Sequence, residues 1–476
     1  MDFARSGYDR SGRPPRRPQK AFLSALEKEW DNYDVFAGTA PTGAGKTLIA
    51  RSIQIAVPKT RIVTVSNGLV RQCGAAYPEV LPYMGASNYA TREEYFDARL
   101  MASDPSTDIC TNPIALFYLK KTCPIFEDSD CIVIDEADAV FGLLSTLTLR
   151  KIRVGEKDYK VHNLQDPRHL GMFLRQKAQH HRDVFTEMLE NVRVRSVRSL
   201  ASHESKAQKY DILAEMLSEG DHRVSIQWSV ENGLRFLTVQ PIRLPIQLFK
   251  SIFGVKKVVL LSATLFDTDL FEALPTDRIK RFEVESPIPP EQRPFVFMPA
   301  GIESWYPTPH EELALAIDKA LEKFKHLRPA LVHVTYQDAA ELSKYLKTPH
   351  MMYSDRDEKP EVLEKWLKEG GVLLGAGVST GLDLKDDLCR LNIISRIVYP
   401  SLGSDYVKKR KALSGKWYKI AAVRQVIQAS GRATRGAKDY SLTLMLDDRW
   451  PSLRLSVQDD LPEFFKDVID GRTHQL

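Results

Sequence analysis

Short apolar runs recur along this chain, and each stops at a polar or glycine-containing group. Residues 35–40 run into a glycine-rich loop, 61–65 into Ser66-Asn67, 131–134 into Asp135, and 258–261 into Ser262-Ala263-Thr264. Brief, β-branched runs bounded by turn residues predict buried strands of a parallel sheet, with helical segments between them. A second series follows the proline-rich stretch 287–294, at 330–334, 371–374, 392–398 and 441–446. The alternation predicts an α/β protein of two parallel-sheet domains, residues 21–285 and 297–476, joined by a linker at 286–296. Residues 1–20 form a basic arm. Two stretches break the pattern and read as insertions into the first domain. One is 80–125, mixed and polar. The other is 145–240, mostly helical and basic with a β-like piece at 223–239.

A length of 476 residues suits two or three domains. No apolar run approaches the roughly 20 residues that span a bilayer. The arginine-rich start has no apolar segment behind it, so it is not read as a secretory signal. Five cysteines, odd in number and without a C-x-x-C pair, suit a reducing cytoplasm. The net charge of +5 favours a polyanionic partner only weakly. Its distribution says more, because Arg168, Arg175, Lys177, Arg182, Arg193, Arg195, Arg198, Lys206 and Lys209 recur through the predicted helical insertion. They are either a solvated helix face or phosphate contacts.

The chemistry begins at Ala40-Pro41-Thr42-Gly43-Ala44-Gly45-Lys46-Thr47, between a predicted strand and a predicted helix. Glycines turn backbone N–H groups toward phosphate oxygens, and the helix N-terminus adds positive potential. Lys46 is placed to reach the β- and γ-phosphates and Thr47 to ligate Mg²⁺, which makes this a Walker A loop for ATP. Asp135 and Glu136 follow the next apolar strand, the first suited to Mg²⁺ and the second to orienting and deprotonating water. Far downstream, Gln428, Arg432 and Arg435 occupy one predicted helix. Their side chains can meet a γ-phosphate from the opposite side, as arginine fingers do. A site split between two domains closes only when they meet.

In order along the chain, the Walker A loop, Asp135-Glu136-Ala137-Asp138, Ser262-Ala263-Thr264 and Gln428–Arg435 resemble motifs I, II, III and VI of superfamily 2 helicases. Val239-Gln240-Pro241, Gly381-Leu382-Asp383-Leu384, Val398-Tyr399-Pro400 and Asp439-Tyr440 are similar to the XPD/DinG branch. The Asp-Glu-Ala-Asp letters also suggest a DEAD-box RNA helicase, but that family's sixth motif begins His-Arg-x-Gly-Arg where this chain has Ala429-Ser430-Gly431-Arg432. The resemblance implies two RecA-like motor domains. It implies that Gln19 reads adenine, that Asp383 links the nucleotide site to the strand, and that Ser262 and Thr264 couple the two. Thr64, Asn67, Thr111, Asn112, Thr335 and Tyr336 then contact the strand backbone, although short polar side chains at these places also suit helix N-caps.

The branch usually carries an iron–sulfur cluster on four cysteines between motifs I and II. Here Thr91 stands where the first ligand is expected, and only Cys110 and Cys123 remain as ligand candidates, so no cluster is expected. The function implied is a monomeric, ATP- and Mg²⁺-dependent 5′–3′ translocase on single-stranded or tailed duplex DNA, with a loading partner unspecified. An RNA or hybrid helicase, or an ATP-gated remodelling subunit that unwinds little, stays open beside it.

Overall fold

The computed structural model describes residues 2–3, 15–85, 88–123, 129–148, 150–155, 164, 166–190, 197–218, 224–243, 253–254, 256–265, 271, 274, 276–378, 384, 386–434 and 439–470. Its first sheet has strands β1 (Val35–Thr39), β2 (Thr60–Val63), β3 (Leu81–Tyr83), β4 (Ile109–Thr111) and β5 (Cys131–Asp135). After an antiparallel sheet of β6 (Arg150–Val154), β7 (Val224–Glu231) and β8 (Leu234–Pro241), it gains β9 (Lys257–Ser262) and β10 (Ile279–Glu283). The seven strands run in the order β10-β1-β9-β5-β2-β4-β3, all parallel. The second sheet holds β11 (Phe295–Phe297), β12 (Ala330–Val334), β13 (Met351–Met352), β14 (Val372–Ala376), β15 (Leu391–Ile394) and β16 (Leu442–Met445). These six are also parallel, in the order β11-β16-β15-β12-β14-β13. We call the two halves motor 1 and motor 2.

The helices of motor 1 are α1 (Arg17–Glu29), α2 (Lys46–Ala56), α3 (Asn67–Ala76), α4 (Arg92–Ser103), α5 (Pro113–Thr122) and α6 (Ala137–Thr148). The insertion carries α7 (Pro167–Glu190) and α8 (Val197–Ser218), packed on its small sheet through Phe173, Leu174, Leu213, Leu217 and Leu237. Motor 2 carries α9 (His310–Lys323), α10 (Tyr336–Leu342), α11 (Lys359–Glu369), α12 (Asp405–Leu413), α13 (Gly415–Ser430), α14 (Trp450–Leu455) and α15 (Glu463–Asp470). Strands buried on both faces explain the near-continuous apolar runs of the sequence. Among the described residues no helix is long and apolar enough to cross a membrane.

Residues 80–125 differ from the insertion expected there, because they supply β3 and β4, which extend the first sheet to its edge. A three-residue Leu-Pro-Tyr strand leaves no apolar run to read, and proline is tolerated at a sheet edge. The arrangement that matters for function is central. Strands β1, β9 and β5 are neighbours, so the loops at their carboxyl ends converge, where open α/β sheets bind ligands.

Candidate functional site

The glycine-rich loop of residues 40–47 leaves β1 with Ala40 N–H donating to the Ser262 carbonyl at 2.8 Å. Gly43 and Gly45 have φ of +81° and +78°, conformations that a Cβ disfavours, and α2 starts directly after them. The loop is braced from behind. Buried Gln19 donates to the Ala44 and Gly45 carbonyls at 2.9 and 3.3 Å, and accepts from Arg16 N–H at 2.7 Å. Arg16 reaches the Gly43 carbonyl at 3.1 Å. The amide expected to read a purine is therefore engaged with loop backbone. A Cβ on Gly45 would sit 2.1 Å from the Gln19 amide nitrogen, so a larger residue there would push this side chain off the loop.

Lys46 pairs with Glu136 at 3.2 Å. Beside them, burial raises the Asp135 carboxyl to about 6; Glu136 and Asp138 push the same way, while Lys46 opposes. Glu136 sits at φ +54°, unusual for a residue with a side chain, and its N–H donates to Asp135 Oδ1 at 3.0 Å. Asp135 and Glu136 lie beside a single ammonium, that of Lys46, and among the described residues no group of three or more His, Cys, Asp or Glu side chains could hold a metal ion.

Asp138 joins the two motors. Ser262 Oγ donates to its Oδ1 at 2.5 Å and Thr264 Oγ1 to its Oδ2 at 2.7 Å. Arg424, on α13 of motor 2, lies 3.3 Å from the same Oδ2. Burial depresses the Arg424 pKa and Asp138 supports it. One turn later on that helix comes Gln428. The helix stops at Ser430, so Arg432 is carried by the turn beyond it and not by the predicted helix. Gly431 sets this close approach, because a Cβ there would lie 3.0 Å from Thr42 Oγ1 across the cleft. Arg435, Asp383, Arg193 and Arg195 lie outside the described residues.

At the ends of β2 and β4, adjacent strands, Asn112 donates to Asn67 at 2.7 Å and Asn67 to Asn88 at 2.9 Å. Asn112 also caps α5 by accepting from Ala115 N–H at 2.8 Å. Thr335 caps α10 in a reciprocal box with Asp338. Tyr336 meets the Tyr353 ring edge-on at 5.9 Å. The Thr111 hydroxyl contacts the Asn112 carbonyl at 3.4 Å, and the buried Thr64 hydroxyl has no hydrogen-bond partner among the described residues.

Residues 326–467 match the family described as a helicase C-terminal domain. Over 303 residues, 52% of this chain, there is 26% identity to the ATP-dependent DNA helicase CHL1 of Candida albicans. That match spans 35% of the relative's length. An apo XPD structure aligns over 92% of this chain and 98% of its own, with a TM-score of 0.58 and 16% identity. Xpd4 of S. tokodaii aligns over 93% and 98%, with a TM-score of 0.56 and 15% identity. Residues 326–467 thus carry a helicase C-terminal domain, and the chain as a whole has the fold of the XPD structures.

Thr91 is the N-cap of α4, accepting from Glu94 N–H at 3.1 Å while Glu94 reaches back to the Thr91 N–H. Cys110 is buried on β4, where its thiol is hydrogen-bonded with Cys73, and Cys123 follows α5 half-buried. Sequence reading missed Arg424 and Asn88. Arg424 had one available signal, since it precedes Gln428 by four residues and shares its helix face.

Proposed function

We propose that this chain is an XPD/DinG-like superfamily 2 helicase, an ATP-driven motor on single-stranded DNA that hydrolyses ATP between motor 1 and motor 2. One observation carries the reading above the others: a motor 2 arginine, Arg424, reaches the Asp138 carboxylate that motif III already holds. The loop backbone of residues 43–47 and Lys46 receive the triphosphate, while Thr47 and Asp135 hold Mg²⁺. When bound, Mg²⁺ supplies charge neutralisation for the phosphates. Glu136 is held by Lys46 in this structure. Transfer of Lys46 to a phosphate oxygen frees the carboxylate to take the proton of the attacking water. Arg432, with Arg435, faces the γ-phosphate once the cleft is filled. Thr64, Asn67, Thr111, Asn112, Thr335 and Tyr336 line the strand ends over which the backbone passes, and Asn67 and Asn112 act as one unit.

The DNA substrate follows from the CHL1 similarity and 5′–3′ movement from the branch resemblance. ATPase stimulation by DNA against RNA oligonucleotides checks the first, and unwinding of 5′- against 3′-tailed duplexes checks the second. The site itself is tested by Lys46→Ala. Loss of a charge clamp on the transferring phosphate predicts turnover falling by at least about 100-fold, with the melting temperature unchanged. Turnover near the wild-type rate would remove the site assignment.

A further inference from the structure

We infer that α12 and the start of α13 form an additional single-strand contact surface on motor 2, in which Lys408, Lys411 and Lys419 meet phosphates beside the stacked Tyr399 and Tyr418 rings. The inference rests on the nucleic-acid reading above. Between residues 405 and 419 six basic residues face one acidic residue, so this short segment carries the same net charge, +5, as the entire chain. Asp405 already pairs with Lys409 at 3.7 Å, and Lys416 with Asp460 at 2.7 Å. Lys408, Lys411 and Lys419 are exposed and form no ion pair among the described residues. Elsewhere on motor 2 the exposed Lys325, Lys344 and Lys368 are each neutralised by a glutamate three or four residues away. Lys319, Lys347 and Lys365 are also exposed without an ion pair among the described residues, so what sets this surface apart is three such lysines close together in the chain beside stacked rings.

The aromatic side chains give the charge a second component. The Tyr399 and Tyr418 rings stack at 5.2 Å and 23°. Lys411 lies over Tyr418 at 4.7 Å and Arg449 over Tyr399 at 5.6 Å. Val398 and Leu402 stay exposed next to them. The stacked rings hold Lys411 and Arg449 over them, so their part is to fix cations in place along the path of a phosphate backbone, which a sequence-tolerant single-strand surface requires. The position also fits. Ser225 of the insertion donates to Asp405 at 2.8 Å and Lys409 to the Val224 carbonyl at 3.3 Å, so the surface borders the seam between motor 2 and the basic insertion.

The test is fluorescence anisotropy of the full chain with labelled oligo-dT across a NaCl series. Replacing Lys408, Lys411 and Lys419 together by Gln removes three phosphate contacts. The log–log salt slope should shrink by about 2 and affinity near 0.1 M salt should fall on the order of 100-fold, with melting unchanged. The matched variant with Lys325, Lys344 and Lys368 changed to Gln should keep the wild-type slope. An unaltered slope in the first variant, or an equal loss in the second, overturns the inference and returns the surface to an acidic protein partner or to bulk charge. If the wild-type chain itself ignores oligo-dT, the nucleic-acid reading has failed as well, an outcome the lysine variant alone cannot produce.

Discussion

Asp138 in motor 1 and Asp338 in motor 2 are built alike and tied differently. Both are almost fully buried in the first turn of a helix that follows a sheet strand. Both accept from threonine hydroxyls and meet a guanidinium: Thr264 and Arg424 for Asp138, Thr335 and Arg396 for Asp338. Burial opposes ionisation of Asp338, yet the hydroxyl and Arg396 hold its carboxyl below the usual range, and His310 adds a contact at 3.1 Å. Every one of these Asp338 partners belongs to motor 2. The Asp138 arginine comes from the opposite motor. The same chemistry is therefore a brace within one motor in one place and a joint between the two motors in the other.

The largest effect should come from breaking the brace. Asp338→Ala leaves Arg396 and the Thr335 cap without their carboxylate, a loss of about 3–5 kcal/mol for a buried pair deprived of one partner. Denaturant melts followed on the motor 2 transition measure it. Asp138→Ala should destabilise less, because solvent and motor motion can relieve Arg424, but it should lower ATP turnover more than Asp338→Ala does. Equal stability losses from the two substitutions would remove the distinction between brace and joint.

Arg424→Ala sharpens the comparison at a smaller scale. We expect the melting temperature to move little and strand-stimulated ATP turnover to fall about tenfold, the size of a coupling energy of 1–2 kcal/mol. Arg424→Lys should recover part of it. A double-mutant cycle with Asp138→Asn should show the two losses to be non-additive. Additive losses would mean that Arg424 acts elsewhere than on Asp138.

Much of this was legible in the sequence because it is local. The apolar runs ending at Gly43, Asp135 and Ser262 give the parallel sheet and the positions of its loops, and a charged residue at a strand end is a strong signal once the loop before it binds phosphate. What was not legible depends on proximity between distant segments. No spacing rule pairs Gln19 with the Ala44 carbonyl, or Arg424 with Asp138, since both pairings are set by how α1 and α13 dock. The edge strand β3 and its neighbour β4 were hidden for a different reason. They are too short, and too mixed in composition, for periodicity to register. The sequence predicts one helix for Gln428, Arg432 and Arg435, whereas the helix ends at Ser430 with Gly431 as its C-cap.

The smallest expected effect concerns a neutral counterpart to the two aspartates. His333 Nε2 lies 2.8 Å from Asn392 Oδ1, and Asn392 donates to the Ala429 carbonyl at 2.9 Å, at the end of α13. Burial lowers the imidazole to about 4; the Asn392 bond opposes this and the nearby Arg432 charge adds to it. The unfolded chain takes up a proton near pH 6.5, but the folded chain does not do so until about 4. Unfolding therefore binds the proton, and the stability His333 confers is complete above pH 6.5 and is lost as pH falls toward 4, by at most about 3 kcal/mol. His333→Gln keeps an amide donor toward Asn392 and removes the titration. The wild-type minus variant stability, measured by denaturant melts at pH 7.5, 5.5 and 4.5, should decline across that series while the carboxylate contributions cancel. A constant difference would mean that this chain of bonds tolerates a charge, and that motor 2 holds the turn before Arg432 by packing alone.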